Sequence, residues 1–214
     1  MSNSLIAAPE ILQNELIVAI AQKGDIRHFP AKAIIIHEGD VSDSLYIILS
    51  GKIKIFSANQ AGKEVVFNVH GAGDYIGEMS LDGQPRSASA ITLEPTSCSV
   101  VSGNQLREFI SLHPDFATHL IFKLIRRARV ASDNLKSLAL LDVYGRIARL
   151  LLELAEPEGD VLVIKQKLTH QDIADRVGSS REMVTRILKD LSTGGYLSMQ
   201  EKHITVHKKP PAAW

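Results

Sequence analysis

The feature that most constrains this chain is an abrupt change of character at His113-Pro114. Before it, β-branched runs are punctuated by glycine; after it, neither glycine nor proline occurs from residue 115 to residue 144. A chain of 214 residues with that pattern is neither one uniform sheet nor one bundle. It predicts a β-rich region followed by a long helix. Residues 33–37, 45–49 and 52–56 read as strands, and Gly39-Asp40, Gly51, Gly62, Gly73-Asp74 and Gly77 mark the turns between them. Residues 58–63 read as a hairpin loop leading into a strand at 64–69. Short strands at such regular spacing predict a sandwich, barrel or roll.

Along the predicted helix, Ala117, Ile121, Leu124, Ala128, Ala131, Leu135 and Leu138 follow one another at alternating intervals of four and three. That is a heptad seam, and it predicts helix–helix pairing. The positions off the seam include Lys123, Arg126, Arg127, Arg129 and Lys136, which favours a homodimer through helix 113–141 over a helix packed on its own domain. A third region follows. Residues 144–155 form an amphipathic helix, 156–160 a loop, then two short helices and a hairpin at 197–206 around a polar turn at 200–203. Two helices and a β wing make a winged helix-turn-helix. The expected domains are therefore 1–112, 113–141 and 142–214, in an α+β fold.

Composition narrows the function classes. Cys98 is the only cysteine, which excludes an intramolecular disulfide, a Cys-rich zinc site and a four-thiolate iron–sulfur cluster. Alternating with Ser97 and Ser99, it reads as a strand residue rather than a redox sensor. The first ten residues carry no basic region, and Pro9 and Glu10 interrupt the apolar run at 5–8. No apolar stretch approaches the ~18 residues that span a bilayer, so a soluble, cytoplasmic protein with no membrane partner is expected. His28, His37, His70, His113 and His119 show neither H-x-H nor H-E-x-x-H spacing, and read as surface or strand histidines. No catalytic residues and no metal are expected; a cupin-like metal enzyme is the alternative from another class. The formal charge is zero but unevenly spread. Residues 1–112 hold 8 basic and 12 acidic side chains, 113–141 hold 5 and 2, and 142–214 hold 11 and 10.

The third region carries the chemistry of DNA reading. Thr169-His170-Gln171-Asp172 opens a helix with a capping-box pattern, and Ile173, Ala174 and Val177 form its apolar face. Gly178 allows the tight turn. Ser179-Ser180-Arg181-Glu182 opens the next helix with an S-x-x-E box, and Val184, Ile187, Leu188 and Leu191 face inward. The opposite face carries Arg181, Glu182, Thr185, Arg186 and Lys189. Arginine suits guanine O6 and N7, and glutamate accepts from cytosine N4. Thr169, Gln171 and Ser180, at helix starts, suit phosphates. The competing reading is a solvated helix face with a Glu182–Arg186 ion pair.

Residues 140–148, 168–174 and 178–188 resemble the Crp–Fnr superfamily of bacterial transcription regulators, and the resemblance covers essentially the whole chain beyond a short N-terminal segment. The resemblance implies that Arg181, Glu182 and Arg186 read a TGTGA-type half-site in double-stranded DNA, with Thr169 and Ser180 on phosphates. It also implies an RNA polymerase partner, for which the 156–160 loop, Asp25 and Arg27 are candidate contacts. Gly77-Glu78-Met79-Ser80-Leu81 followed by Arg86-Ser87-Ala88 is similar to the phosphate cassette of cyclic-nucleotide-binding domains. Independently, an anionic cyclic phosphate needs a bidentate cation and nearby hydroxyls, which Arg86 and Ser87 offer, and Glu78 can accept from a ribose 2′-hydroxyl. In the resembling family an adjacent Thr and Ser on the long helix hold the adenine; here the pair is Ala131-Ser132. One lost neutral hydrogen bond is worth ~0.5–1.5 kcal/mol. Cyclic AMP (cAMP) ranks first as effector. The alternatives are cyclic di-GMP, which has two phosphates while Arg86 is the cassette's one arginine, no effector, or a haem-based sensor. The implied mechanism is allosteric, with the effector shifting the helix near 135–143.

Overall fold

The computed structural model describes residues 8–60, 62, 64–159, 161–200 and 203–211. The order of elements is α1 (Ala8–Ala21), β1 (Asp25–Phe29), β2 (Ile34–Ile36), β3 (Leu45–Ser50), β4 (Lys52–Ala58), β5 (Glu64–Gly71) and β6 (Tyr75–Ile76). A 3₁₀ turn (Glu78–Asp82), β7 (Ser89–Thr92), β8 (Thr96–Val101), α2 (Gly103–Leu112) and α3 (Pro114–Leu140) follow. The chain ends with α4 (Val143–Leu154), β9 (Glu156–Glu158), β10 (Val161–Ile164), α5 (His170–Val177), α6 (Arg181–Thr193), β11 (Leu197–Gln200) and β12 (His203–Val206). These elements divide into two compact units, one drawn from residues up to 59 and 66–127, the other from 60–65 and 128 onward.

The first unit is an antiparallel roll with helices packed on it. One sheet runs β1-β8-β3-β6 and the other β2-β7-β4-β5. β8 is central, with Cys98 opposite Arg27 on one side and Ile48 on the other. Ile36, Ile48, Ile53, Ile76, Ala90 and Cys98 form one core. Burial pushes the Cys98 thiol up to about 11, so it stays protonated and inert at neutral pH, as befits a strand residue. A second core joins Ile17, Ile20, Leu106, Phe109, Phe116 and Leu120 from the helices to Leu45, Ile47, Tyr75 and Val101 from the sheet. Each such side chain contributes ~1.5–3 kcal/mol by leaving water. Two devices fix the helix ends. Ser102 caps α2 in a reciprocal box with Gln105, and the Ser99 hydroxyl donates to the Ala21 carbonyl at the end of α1. The sequence reading did not anticipate α1, α2 or β1.

The second unit contains α3 from residue 128, α4, α5, α6 and the sheet β11-β12-β10-β9. Its core contains every inward-facing residue expected of the two short helices, Ile173, Ala174 and Val177 with Val184, Ile187, Leu188 and Leu191. Leu197, Ile204 and Val206 close it from the hairpin. Residues 156–158, expected as loop, are strand β9, paired with β10. Pro157, opposite Leu162, has no N–H to donate, but β9 is an edge strand and the loss is tolerated. Parts of three sequence expectations lie outside the described residues: Ala61 and Lys63 of the 58–63 hairpin, Asp160, and Glu201 and Lys202 of the 200–203 turn. So do residues 5–7 of the N-terminal apolar run. No helix among the described residues is long and apolar enough to cross a membrane.

His119, on α3, is not a surface histidine. Its ring lies 5.8 Å from those of Phe116 and Tyr75, and its buried Nε2 has no hydrogen-bond partner. Burial first, then the charges of Lys123 and Arg126, lower its pKa from 6.5. The unfolded chain therefore takes up this proton at higher pH than the fold does, so the contribution is lost as pH falls below 6.5. One such group sets a slope of at most ~1.4 kcal/mol per pH unit. His119→Phe should flatten the fall of the thermal midpoint between pH 7 and 5.5; an unchanged slope would refute the assignment.

Candidate effector and DNA-reading sites

The candidate effector cassette is built around a buried arginine. Arg86 Nη1 donates to the Gly77 carbonyl at 3.0 Å and the Ser80 hydroxyl at 2.9 Å. Its Nη2 donates to the Ser42 hydroxyl at 2.9 Å and the Ser44 carbonyl at 2.7 Å. The backbone of Arg86 is held as well, by the Asp40 carbonyl and the Gly39 N–H, each at 2.8 Å. An arginine whose charge is buried must have its protons satisfied, and here all four terminal N–H groups have protein acceptors. Nε alone is buried without a partner. This differs from the expected open bidentate fork, because the 42–44 segment and the 77–80 turn supply carbonyls and hydroxyls at close range.

Glu78 is the complementary group. Its side chain is 2% exposed, one oxygen is paired with Arg127, and Oε2 is buried with no partner. Arg127 also donates to the Tyr75 carbonyl at 2.9 Å. The sequence reading counted Arg127 only as an off-seam charge; its spacing of four from Lys123, one helical turn, was the available signal. Met79 is exposed, and the Ser87 hydroxyl donates to its sulfur at 3.4 Å, so Ser87 stands apart from the Arg86 guanidinium. Ala88 is half-buried and follows directly. Ala131 and Ser132 are exposed residues of α3 in the second unit, and the Ser132 hydroxyl donates to the Ala128 carbonyl at 2.9 Å.

In the second unit the caps set the reading helix. Thr169 and Asp172 form the expected reciprocal box. Gly178 ends α5 in the left-handed region at φ 66°, where the Ser179 N–H donates to the Ala174 carbonyl. Ser179 belongs to the turn through its backbone, and Ser180 caps α6 by accepting from the Met183 N–H at 3.2 Å. The expected S-x-x-E box with Glu182 is not formed, since the cap lies one residue later and its third helical position is methionine. Arg181, Glu182, Thr185, Arg186 and Lys189 are all exposed on α6. Thr185 bridges the two helices, donating to the Arg181 carbonyl and meeting His170 Nδ1, both at 2.8 Å. Arg186 Nη2 lies 2.9 Å from the Met183 sulfur, and Gln171 donates to Asp175 at 2.7 Å.

Gly77 is the tightest point of the cassette. At φ 94° it occupies the left-handed region, and a Cβ there would stand 2.6 Å from Arg86 Nη1 and 2.7 Å from the Ser44 carbonyl. Backbone strain and displacement of a buried cation combine, each costing about 1 kcal/mol or more. Gly77→Ala should lower the stability of the roll by ~2–4 kcal/mol in urea unfolding; a change below 0.5 kcal/mol, taken here as about the level of a neutral surface substitution, would show that the cassette does not depend on this turn.

Comparison with known proteins agrees with this layout. Residues 26–113 match the family described as cyclic nucleotide-binding domain, and residues 145–210 match the Crp-like helix-turn-helix domain. The cAMP-activated global transcriptional regulator CRP of Salmonella typhimurium is 36% identical over 191 residues, covering 85% of this chain and 89% of that protein. The CRP-like regulator of Mycobacterium tuberculosis is 36% identical over 183 residues, with 83% and 82% coverage. Among solved structures, the c-di-GMP responsive regulator CLP of Xanthomonas campestris superposes with a TM-score of 0.78 at 26% identity, covering 90% of this chain and 98% of CLP. The chain belongs to the CRP–FNR family of transcription regulators, joining a cyclic-nucleotide-binding domain to a DNA-binding helix-turn-helix.

Proposed function

We infer that this regulator binds cAMP in the cassette of residues 77–88 and, as a homodimer, a TGTGA-type palindrome. One observation carries the effector reading. The cassette holds two buried polar atoms with no partner, a donor at Arg86 Nε and an acceptor at Glu78 Oε2. A ribose cyclic phosphate supplies the matching pair, an anionic oxygen for the first and a hydroxyl for the second. The residues present thus fit a cyclic nucleotide. The division into 1–112, 113–141 and 142–214 follows from the same reading, as do the cytoplasm as working compartment and RNA polymerase as partner.

Dimerisation is supported by α3 itself. Ile121, Leu124, Leu135 and Leu138 of the seam are all large and exposed on the single chain, Leu135 by 67%. A heptad stripe of that length loses its cost only against a second helix. For DNA, Arg181, Glu182 and Arg186 are exposed on a helix whose opposite face is fully committed to the core.

Cyclic di-GMP is the second reading, favoured by the likeness to the c-di-GMP responsive regulator CLP and by alanine at position 131. Calorimetric titration with cAMP, cyclic GMP and cyclic di-GMP, followed by gel shifts on a TGTGA palindrome, separates the readings. cAMP should bind and raise DNA affinity. cAMP binding without effect on DNA would sink the switch, because a ligand with equal affinity for both states moves nothing. Ala131→Thr should tighten cAMP by up to ~10-fold. Arg181→Ala should cost ~1–3 kcal/mol on the palindrome and relax preference at one base pair, whereas uniform weakening on all sequences would reassign Arg181 to phosphate contact.

A further inference from the structure

The cassette is tied to α3 by two carboxylate–cation pairs arranged as rungs. Asp74 and Glu78 are four residues apart around β6; Lys123 and Arg127 are four apart on α3, one turn along one face. Lys123 pairs with Asp74, and Arg127 with Glu78. The Lys123 ammonium also sits 3.3 Å above the Tyr75 ring centre, while Arg127 takes the Tyr75 carbonyl. Tyr75 is therefore gripped by both rungs, with its ring in the helix-packed core.

The two rungs differ in what else touches them. Glu78 has an unpartnered oxygen and belongs to the cassette, so a ligand reaches the Arg127 rung directly. Asp74 is committed to protein. It is paired with His70, and its other oxygen also accepts the Tyr75 N–H at 2.9 Å. The Lys123 rung thus contains none of the cassette's unpartnered atoms, yet it holds the helical turn immediately before Arg127.

We propose that Lys123 is a positioning residue of the effector site: by clasping Asp74 and the Tyr75 ring, it fixes the α3 turn that sets Arg127 against Glu78. The inference rests on the reading of Glu78 as the acceptor of a ribose 2′-hydroxyl. Glu78 accepts well only while Arg127 holds its carboxylate in one orientation, so loss of the clasp falls on the ribose contact and spares the phosphate contact at Arg86.

The test compares cAMP with 2′-deoxy-cAMP in calorimetry on full-length wild type, Lys123→Met and Lys123→Arg. Methionine keeps the aliphatic stem over Tyr75, and Asp74 keeps His70 and the Tyr75 N–H, so the fold retains its other contacts. Wild type should bind cAMP about tenfold more tightly than the 2′-deoxy analogue. Lys123→Met should abolish that ratio by weakening cAMP alone, and Lys123→Arg should restore it. Equal weakening of both nucleotides, or no change in either, overturns the proposal. Hydrogen exchange without ligand is the second readout. Amides at 120–128 should exchange at least tenfold faster in Lys123→Met than in wild type or Lys123→Arg, and unchanged exchange likewise overturns the clasp. If wild type binds neither nucleotide, the effector reading fails, and the exchange arm alone judges the clasp.

Discussion

Burying the Arg86 guanidinium is the constraint around which the sensor is arranged. A cation removed from water is tolerated only where each proton meets an acceptor, and the four acceptors come from two segments distant in sequence, 42–44 and 77–80. The turn that meets them admits only glycine at 77, since the residue sits in the left-handed region and any Cβ there would stand against the guanidinium. It also brings the 3₁₀ turn that carries Glu78 beside the arginine. The cassette's shape is therefore a consequence of one buried charge. The geometry leaves only Nε over, so on the proposed reading a ligand anion meets that one proton, and any further contact with Arg86 displaces one of its four acceptors.

The same logic explains why a chain of zero net charge has strongly charged parts. The acidic sensor presents Asp74 and Glu78, and the basic excess of the 113–141 segment supplies Lys123 and Arg127 to meet them. Burial raises the pKa of Asp74, but hydrogen bonds from His70 and Lys123 and their charges outweigh it and hold the carboxyl well below the usual range. Burial lowers Lys123, and Asp74 opposes that shift. Each partner thus counters the other's burial through its charge and hydrogen bond. Neutrality of the whole is pairing at short range rather than absence of charge.

Legibility from sequence followed the strength of local signals. α6 was readable because its period-3.6 stripe is complete at Val184, Ile187, Leu188 and Leu191, and tertiary packing agrees with it. α2 was missed although Ser102 and Gln105 form a capping box, because Gly103 at its first position reads as a turn. β9 was missed because Pro157 argues against a strand unless the strand is at an edge. The α6 cap falls one residue later than the pattern predicts: the Ser179 backbone N–H closes the turn after Gly178, and Ser180 takes the cap. For the candidate sensor site, Glu78 and Arg86 lie in a short motif that the sequence alone singles out. Arg127 was not, since it reaches Glu78 across 49 residues, and its one local signal, the spacing of four from Lys123, marks a shared helix face but no partner.

On the proposed reading, the unpartnered oxygen of Glu78 fixes the sense of the response. A ribose hydroxyl donating to Oε2 occupies a free acceptor and leaves the Arg127 pair intact. Effector binding then adds a partner to an existing rung instead of breaking one, and it lowers the free energy of the state in which α3 is held at Arg127. A ligand shifts a two-state equilibrium only by its differential affinity. On the same reading, the competing state is one in which Oε2 is a poorer acceptor because the Arg127–Glu78 pair is lost. That reading makes the effector-bound form the more ordered at this turn of α3, with the arginine and the hydroxyl on different oxygens of the same carboxylate.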